Sequence, residues 1–126
     1  MLRSIFTDEI RMDFSSYNGR PAASMLADDW VGGCAALFNG LDATQHSMTN
    51  PLVDVAEGSR HATQRMAMQA AHFLDGVEFT IGGWYQDSLV QVDGAWRIAA
   101  VTLNVTWRRG DETIMTAALK GPSATA

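Results

Sequence analysis

Histidine is the side chain best suited to move protons near neutral pH, and this chain of 126 residues has three of them. His46 lies in the stretch ATQHSMTN, His72 lies in the stretch QAAHF, and His61 lies eleven residues before His72 in the same predicted segment, residues 60–74. If both segments are β-strands, alternation puts His46 and His72 on the side that carries methionines and His61 on the polar side. Two histidines on adjacent strands would then share one pocket as acid and base. The alternative for each is a core histidine bonded to a backbone carbonyl or a hydroxyl.

A phenol and a carboxyl group form the second set of candidates. The stretch GGWYQDS places Tyr85 and Asp87 two positions apart, hence on one face of a strand. Tyr85 would polarise a substrate carbonyl by hydrogen bonding, or it is simply a common strand residue. Asp87 would bind substrate, or it caps or pairs at the sheet surface.

Apolar and amide side chains complete the set of residues that are candidates for substrate binding. Aromatic residues and methionines are more often plain core than ligand site. Asn50 shares the face of His46 only if no bulge intervenes before Pro51. The candidates are Phe14, Trp30, Met48, Asn50, Met66 and Met68.

Composition excludes several classes of function. A net charge of −5 with nine Lys and Arg residues argues against nucleic acid or an anionic membrane as partner. Three scattered histidines and the single cysteine give no metal-ligand spacing, and no glycine-rich phosphate loop is present, so we expect neither metal nor cofactor. Because the start MLRSIFTDEIRMDF is no signal peptide and no run reaches eighteen apolar residues, we expect a soluble, cytoplasmic protein.

The elements that must position these residues follow from periodicity and turn signals. Residues 9–14 alternate as a strand, and residues 26–40 have apolar positions four apart, an acidic first turn and a glycine stop, as in a helix. Turn signals at 57–59, 75–76 and 93–94 then separate four long strands near 45–56, 60–74, 77–92 and 95–108. Gly82 and Gly83 predict a bulge inside the third.

These elements predict one α+β domain over residues 1–126. A strongly curved antiparallel meander, covered on one side by the helix, would wrap a cavity suited to a small hydrophobic molecule. After the apolar run TIMTAAL, residues 119–126 read as a flexible tail.

The order of these motifs also resembles a known family. IRMDF, ADDWVGG, ATQHSMTN, QAAHF and GGWYQDSLVQVDGAWRIAAVTLNVTW are similar to the SnoaL-like branch of the nuclear transport factor two superfamily, in particular to its scytalone dehydratase subgroup, over roughly residues 2–110. TQH and VDGAWRIA are the most specific matches. The resemblance implies a cone-shaped, cystatin-like mixed sheet around a hydrophobic pocket, and cofactor-free dehydratase, cyclase or isomerase chemistry.

The resemblance also implies roles for single residues. It places the two proton-carrying histidines of scytalone dehydratase on His46 and His72. Phe14 falls where that enzyme has a pocket tyrosine, and Gly83 and Tyr85 fall where it has a serine and an asparagine, so a substrate other than scytalone is expected. The family's first helix, which supplies a tyrosine and an aspartate that orients one histidine, would precede residue 1. Three explanations are open: a start codon further upstream, helical cover from a partner subunit, or a short member that binds without catalysis.

Three functions therefore remain as hypotheses. The first is a cofactor-independent lyase or isomerase acting on a small cyclic ketone or alcohol, in which His46 and His72 transfer protons and Tyr85 holds the substrate oxygen. The second is a binding protein with the same pocket and no reaction. The third is a subunit-interaction protein of the same fold. We also expect a homo-oligomer, a dimer or a trimer, because apolar sheet surface would otherwise be exposed.

Overall fold

The structure, a computed structural model, describes residues 2–120 of the chain. The elements alternate between strands and short helices until four long strands follow one another, and a helix closes the described part. In chain order they are a 3₁₀ turn at Leu2–Ile5, β1 (Phe6–Asp13), α1 (Ser15–Asn18), β2 (Ala23–Leu26), α2 (Ala27–Gly40), β3 (Ala43–Val55), β4 (His61–Leu74), β5 (Val77–Val92), β6 (Ala95–Gly110) and α3 (Thr113–Lys120).

All six strands form one curved, mixed sheet in the order β2-β1-β6-β5-β4-β3. The strands from β3 to β6 pair antiparallel in chain order, and β1 adds to β6 in parallel. The predicted α+β class, with a long-stranded meander and helical cover, is confirmed. The parallel pairing of β1 with β6 was not part of the prediction.

Two-residue turns connect β4 to β5 and β5 to β6 where the sequence predicts them, whereas the five residues 56–60 connect β3 to β4. Asp75 and Gly76 have φ of 53° and 79°, and Asp93 and Gly94 have φ of 52° and 80°. Hairpin turns that match the twist of their strands need positive φ at both central positions, which Asp-Gly tolerates. These turns fix the pairing of β4 with β5 and of β5 with β6, and so decide which side chains face the same side.

Within residues 2–120, four shifts interrupt the pairing of the strands, one between β1 and β6, two between β5 and β6 and one between β3 and β4. The pairing of β5 with β6 shifts between Gly82 and Gly83, as the sequence predicts. The pairing of β3 with β4 shifts between Thr49 and Leu52, and Asn50 adopts a φ of 55° there. Because each shift changes the face that later residues present, alternation holds only up to these positions.

Helices α2 and α3 cover one side of the sheet. Helix α2 begins one residue after the predicted start at 26 and ends at Gly40 as predicted. The sequence did not predict α3, whose Ile114 and Ala118 are buried in the core cluster with Phe79 and Leu103. The predicted tail begins at residue 119, α3 continues to Lys120, and residues 121–126 lie outside the described part.

Among residues 2–120, no helix combines the length and the apolar composition that a membrane crossing requires.

Candidate active site

A cavity of about 600 Å³ lies between the inner face of the sheet and its helical cover. Strands β1, β3, β4, β5 and β6 supply one side of its wall, and α2, α3 and the 3₁₀ turn supply the other. Most of the lining is apolar, which is typical of sites for small hydrophobic ligands. The few polar groups in the wall therefore decide what the cavity does chemically.

Nine of the ten residues predicted for the site line this cavity. The exception is Asn50, which lies on the exposed strand β3 outside the lining because the pairing irregularity at Thr49–Leu52 interrupts the alternation counted from His46. The nine are His46, His72, Tyr85, Phe14, Trp30, Met48, Met66, Met68 and Asp87.

The two histidines are neighbours across the β3–β4 pair. His46 is paired with Ala70 and Thr44 with His72, so the two imidazoles are diagonal neighbours on the inner face. Their ring centroids lie 5.3 Å apart at an angle of 76°. The geometry therefore brings together the pair that alternation and the family resemblance both selected.

A backbone hydrogen bond orients the His72 ring. Its Nδ1 lies 3.0 Å from the carbonyl oxygen of Phe79, and because a carbonyl can only accept, this nitrogen carries the proton. In the neutral ring, Nε2 then holds the lone pair that can take a proton. The side chain is only 4% exposed, and its ring stacks on Phe79 at 6.2 Å.

The surroundings of His46 are more open. It lies on β3, whose residues are all exposed, while its ring contacts Phe38 edge-on at a centroid distance of 5.4 Å. Desolvation lowers the pKa of His46 below its ordinary value, and the charge of a protonated His72 lowers it further. Desolvation also lowers the pKa of His72, against the hydrogen bond to Phe79. Both imidazoles are thus biased toward the neutral form that acts as a base.

A second polar group lies further along the same wall. Asp87 is 3% exposed, and its Oδ2 accepts a hydrogen bond from Nε2 of Gln64 at 3.1 Å. Burial raises the pKa of the Asp87 carboxyl group. Burial, the Asp87 charge and Cys34 together raise the pKa of Tyr85 to about 12, so the phenol keeps its proton and can donate a hydrogen bond at neutral pH.

The sequence-based prediction missed several residues of the wall. Gln64 shares the alternation of His72, so the signal was present, but its pairing with Asp87 required the β4–β5 register. Phe38 follows Trp30 and Cys34 at helical spacing and could have been assigned in the same way. No sequence signal indicated Met115 or Leu119, which line the cavity from α3.

Within the described range, no group of three or more His, Cys, Asp and Glu side chains could hold a metal ion. The polar groups in the lining are therefore the two imidazoles, the phenols of Tyr85 and Tyr17, the Cys34 thiol, and the Asp87 carboxyl group with its amide neighbour Gln64.

Comparison with protein families gives a match over residues 1–102 to a family described as the SnoaL-like domain. The chain belongs to this family. The match includes both histidines, Tyr85 and Asp87, and it stops before the last part of β6 and α3.

Solved structures support the same assignment of the fold. The Kfla4162 protein from Kribbella flavida is 25% identical, with a TM-score of 0.79, and the match covers 92% of this SnoaL-like chain and 79% of that one. A putative scytalone dehydratase from Novosphingobium aromaticivorans is 19% identical, with a TM-score of 0.74 and coverages of 88% and 72%. A hexachlorocyclohexane dehydrochlorinase (LinA) of type 2 is 13% identical, with a TM-score of 0.70 and coverages of 86% and 72%.

No curated protein matches the chain significantly.

Proposed function

We propose that this SnoaL-like protein is a cofactor-independent lyase or isomerase acting on a small hydrophobic cyclic ketone or alcohol. Dehydratase, cyclase and ketosteroid-isomerase-like reactions all begin with removal of a proton from carbon beside a carbonyl group. The observation that carries the proposal is the pair of adjacent imidazoles, 5.3 Å between centroids, in the wall of an apolar cavity.

The proton transfers follow from the geometry of His72. Its Nε2 takes a proton from the carbon beside the carbonyl group, the C–H electron pair becomes the C=C bond of an enolate, and the C=O π electrons move onto the oxygen, which accepts a hydrogen bond from Tyr85. In an isomerisation, the imidazole pair then delivers the proton to a different carbon of the enolate, whose electrons restore the carbonyl group. In a dehydration, a proton passes instead to the departing hydroxyl group, which leaves as water. Because the charge of a protonated His72 lowers the pKa of His46, protonation of both rings at once is disfavoured.

Two structural neighbours are named for eliminations, a putative scytalone dehydratase and a dehydrochlorinase. An elimination requires the same removal of a proton from carbon. Their likeness to this chain is one of fold, and the proposal depends on the imidazole pair.

Deuterium exchange tests the proposal without knowledge of the natural substrate. In D₂O, the wild-type protein should exchange the α-protons of 4-phenylcyclohexanone, followed by NMR. His72→Ala and His46→Ala should each slow this exchange by roughly 100-fold or more, the usual contribution of a general acid or base. His61→Ala is the matched control, because His61 is exposed and does not line the cavity. Equal exchange by wild type and both site variants would exclude the mechanism.

A binding protein without catalysis is the second candidate. It is favoured by the partner of His72, which is the neutral carbonyl of Phe79, whereas a carboxylate partner would raise the basicity of the ring. Tight binding of the same ketone with no exchange above the His72→Ala background would support this candidate.

The proposal also includes a homo-oligomer and a cytoplasmic location, as expected from the sequence. Cell fractionation followed by detection of the tagged protein tests the location.

A further inference from the structure

The cavity has polar groups at two separate places along β4. His72, Ala70, Met68, Met66 and Gln64 follow one another on the inner face of this strand, and all five line the cavity. Gln64 lies eight positions before His72, which corresponds to about 26 Å of fully extended strand at roughly 3.3 Å per residue, a distance that the curvature of the sheet shortens. The residues between the two polar ends are apolar.

The carboxyl group at the far end is enclosed and poorly satisfied. Asp87 is paired with Gln64 across the β4–β5 ladder, and among residues 2–120 the Gln64 amide is the one group that donates a hydrogen bond to its side chain. The Asp87 Oδ1 atom is buried and has no hydrogen-bond partner among the described residues. A carboxylate offers about four acceptor positions, so most of its capacity is unused.

No positive charge compensates this carboxyl group in the described part of the chain. The ion pairs between residues 2 and 120 involve Arg3, Arg108 and Arg109, and none of them reaches Asp87. An enclosed carboxyl group with one neutral partner costs stability, because it has lost most of its hydration. A ligand that donates a hydrogen bond to it would recover part of that cost on binding.

The size of the cavity indicates how large such a ligand is. A cavity of about 150 Å³ holds a single benzene ring, and the cavity here is about 600 Å³. A molecule of more than one ring therefore fits, and one that lies along β4 would touch the histidines with one end and Asp87 with the other.

We propose that Asp87, held by Gln64, is a binding subsite for a hydroxyl group at the far end of an elongated, multi-ring hydrophobic ketone. The ligand class is a hydroxy-ketone whose carbonyl end lies at His46 and His72. This assignment of the carbonyl end rests on the proposed function, whereas the hydroxyl subsite rests on the burial and the hydrogen bonds of Asp87.

Two probes of the same shape test the subsite. The first is 4-(4-hydroxyphenyl)cyclohexanone and the second is 4-phenylcyclohexanone, which lacks the hydroxyl group. Both probes are shorter than the extended strand between Gln64 and His72, so the comparison measures the preference for a hydroxyl group at Asp87 and does not require contact with the histidines at the same time. Isothermal titration should show that the wild type binds the hydroxylated probe about 10- to 100-fold more tightly, the range for a hydrogen bond to a buried charged group. Equal affinities for the two probes would overturn the proposal.

Variants then assign the preference to Asp87. Asp87→Leu should bind both probes equally, with the affinity for 4-phenylcyclohexanone retained, and Asp87→Asn should show a smaller preference than wild type. The Asn variant keeps an oxygen that accepts the hydrogen bond from Gln64. If the Leu variant does not fold, the binding preference of the Asn variant alone decides the test. Asp54→Leu, on exposed β3 outside the cavity lining, is the control and should keep the full preference. A preference that survives at wild-type size in both Asp87 variants would refute the subsite.

Failure of the catalytic proposal gives a different pattern. If the histidines do not catalyse, deuterium exchange is absent in every variant while the Asp87-dependent preference persists. If only the subsite is wrong, exchange still depends on His46 and His72, but no binding preference for the hydroxylated probe depends on Asp87.

Discussion

The two imidazoles of the site should give a characteristic dependence of the exchange rate on pH. Desolvation lowers the pKa of both His46 and His72 below the ordinary 6.5. Because the neutral ring is the base, the rate should rise with pH, reach half of its maximum below pH 6.5 and stay level above. Exchange rates in D₂O buffers between about pH 4.5 and 8 measure this rise. Because the two histidines interact, its midpoint is an apparent pKa of the pair and not of either ring alone. A midpoint above 6.5 would contradict the desolvated environment.

The Asp87 carboxyl group should reduce stability at neutral pH. Burial raises the pKa of Asp87 in the folded protein above the 3.8 expected in the unfolded chain. As pH rises from 3.8 through the raised pKa, the unfolded chain loses this proton before the folded protein does, so the free energy of unfolding falls over that pH range. Asp87→Asn removes this loss and can still accept from Gln64. Its free energy of unfolding relative to wild type should therefore increase between pH 4 and pH 7, as measured by urea unfolding.

Asp111→Asn is the control with the opposite sign. The hydrogen bonds from the Thr113 hydroxyl and backbone amide lower the pKa of Asp111, so wild type gains stability from this group as pH rises through the lowered pKa. As pH rises toward 3.8 from the lowered pKa, the free energy of unfolding of Asp111→Asn should therefore fall relative to that of wild type. The same trend for both variants would show that burial of Asp87 does not control the effect.

At the scale of elements, the pairing shift between Gly82 and Gly83 brings β5 into close contact with β6. A Cβ atom at Gly83 would overlap the backbone carbonyl oxygen of Asn104 on β6, whereas one at Gly32 on α2 would meet open space. Gly83→Ala should therefore destabilise the protein by about 1–3 kcal/mol through overpacking. Gly32→Ala should stabilise it by about 0.5–1 kcal/mol, because alanine favours a helix. Urea unfolding measures both, and a stabilising Gly83→Ala would mean that the two strands separate freely there.

The same elements explain what the sequence could predict. Strand β4 is paired with β5 without a shift along its full length, so the two-residue alternation of a strand predicted correctly that His72, Met66 and Met68 share one face. On β3 the same counting failed at Asn50, because the irregularity depends on how the strand pairs with β4. Strand β2 has four residues, too few for a period to be recognised. The orientation of His72 through the Phe79 carbonyl could not be predicted either, because backbone groups carry no sequence signal.

At the scale of the whole molecule, Arg3 connects three elements, and one of its two ion pairs joins residues that are 25 positions apart in sequence. Arg3 in the 3₁₀ turn binds the carboxylates of Asp28 on α2 and Asp8 on β1, at 2.7 and 2.6 Å. Leu2 and Ile5 of this turn line the cavity and are each 44% exposed. The mouth of the cavity therefore depends on how the turn, the helix and the sheet pack together. Short sequence motifs can predict the histidines inside one strand, but they cannot predict which residues of separate elements meet at the mouth.

Strand β3 forms one edge of the sheet and predicts how the molecule associates. All of its 13 residues are exposed, and Leu52, Val53 and Val55 are 70%, 60% and 49% exposed. A long apolar edge strand with free backbone groups pairs readily with another chain, and lysine on such an edge opposes pairing.

We therefore expect wild type to form dimers or trimers by sedimentation velocity at micromolar concentration. Val53→Lys should shift the distribution toward monomer, with a dissociation constant raised by about tenfold or more. Val92→Lys adds the same charge at a 38% exposed position on β5, an interior strand, and should leave the distribution unchanged. A wild-type protein that stays monomeric, or an equal response to both lysines, would show that the β3 edge is not the surface of association.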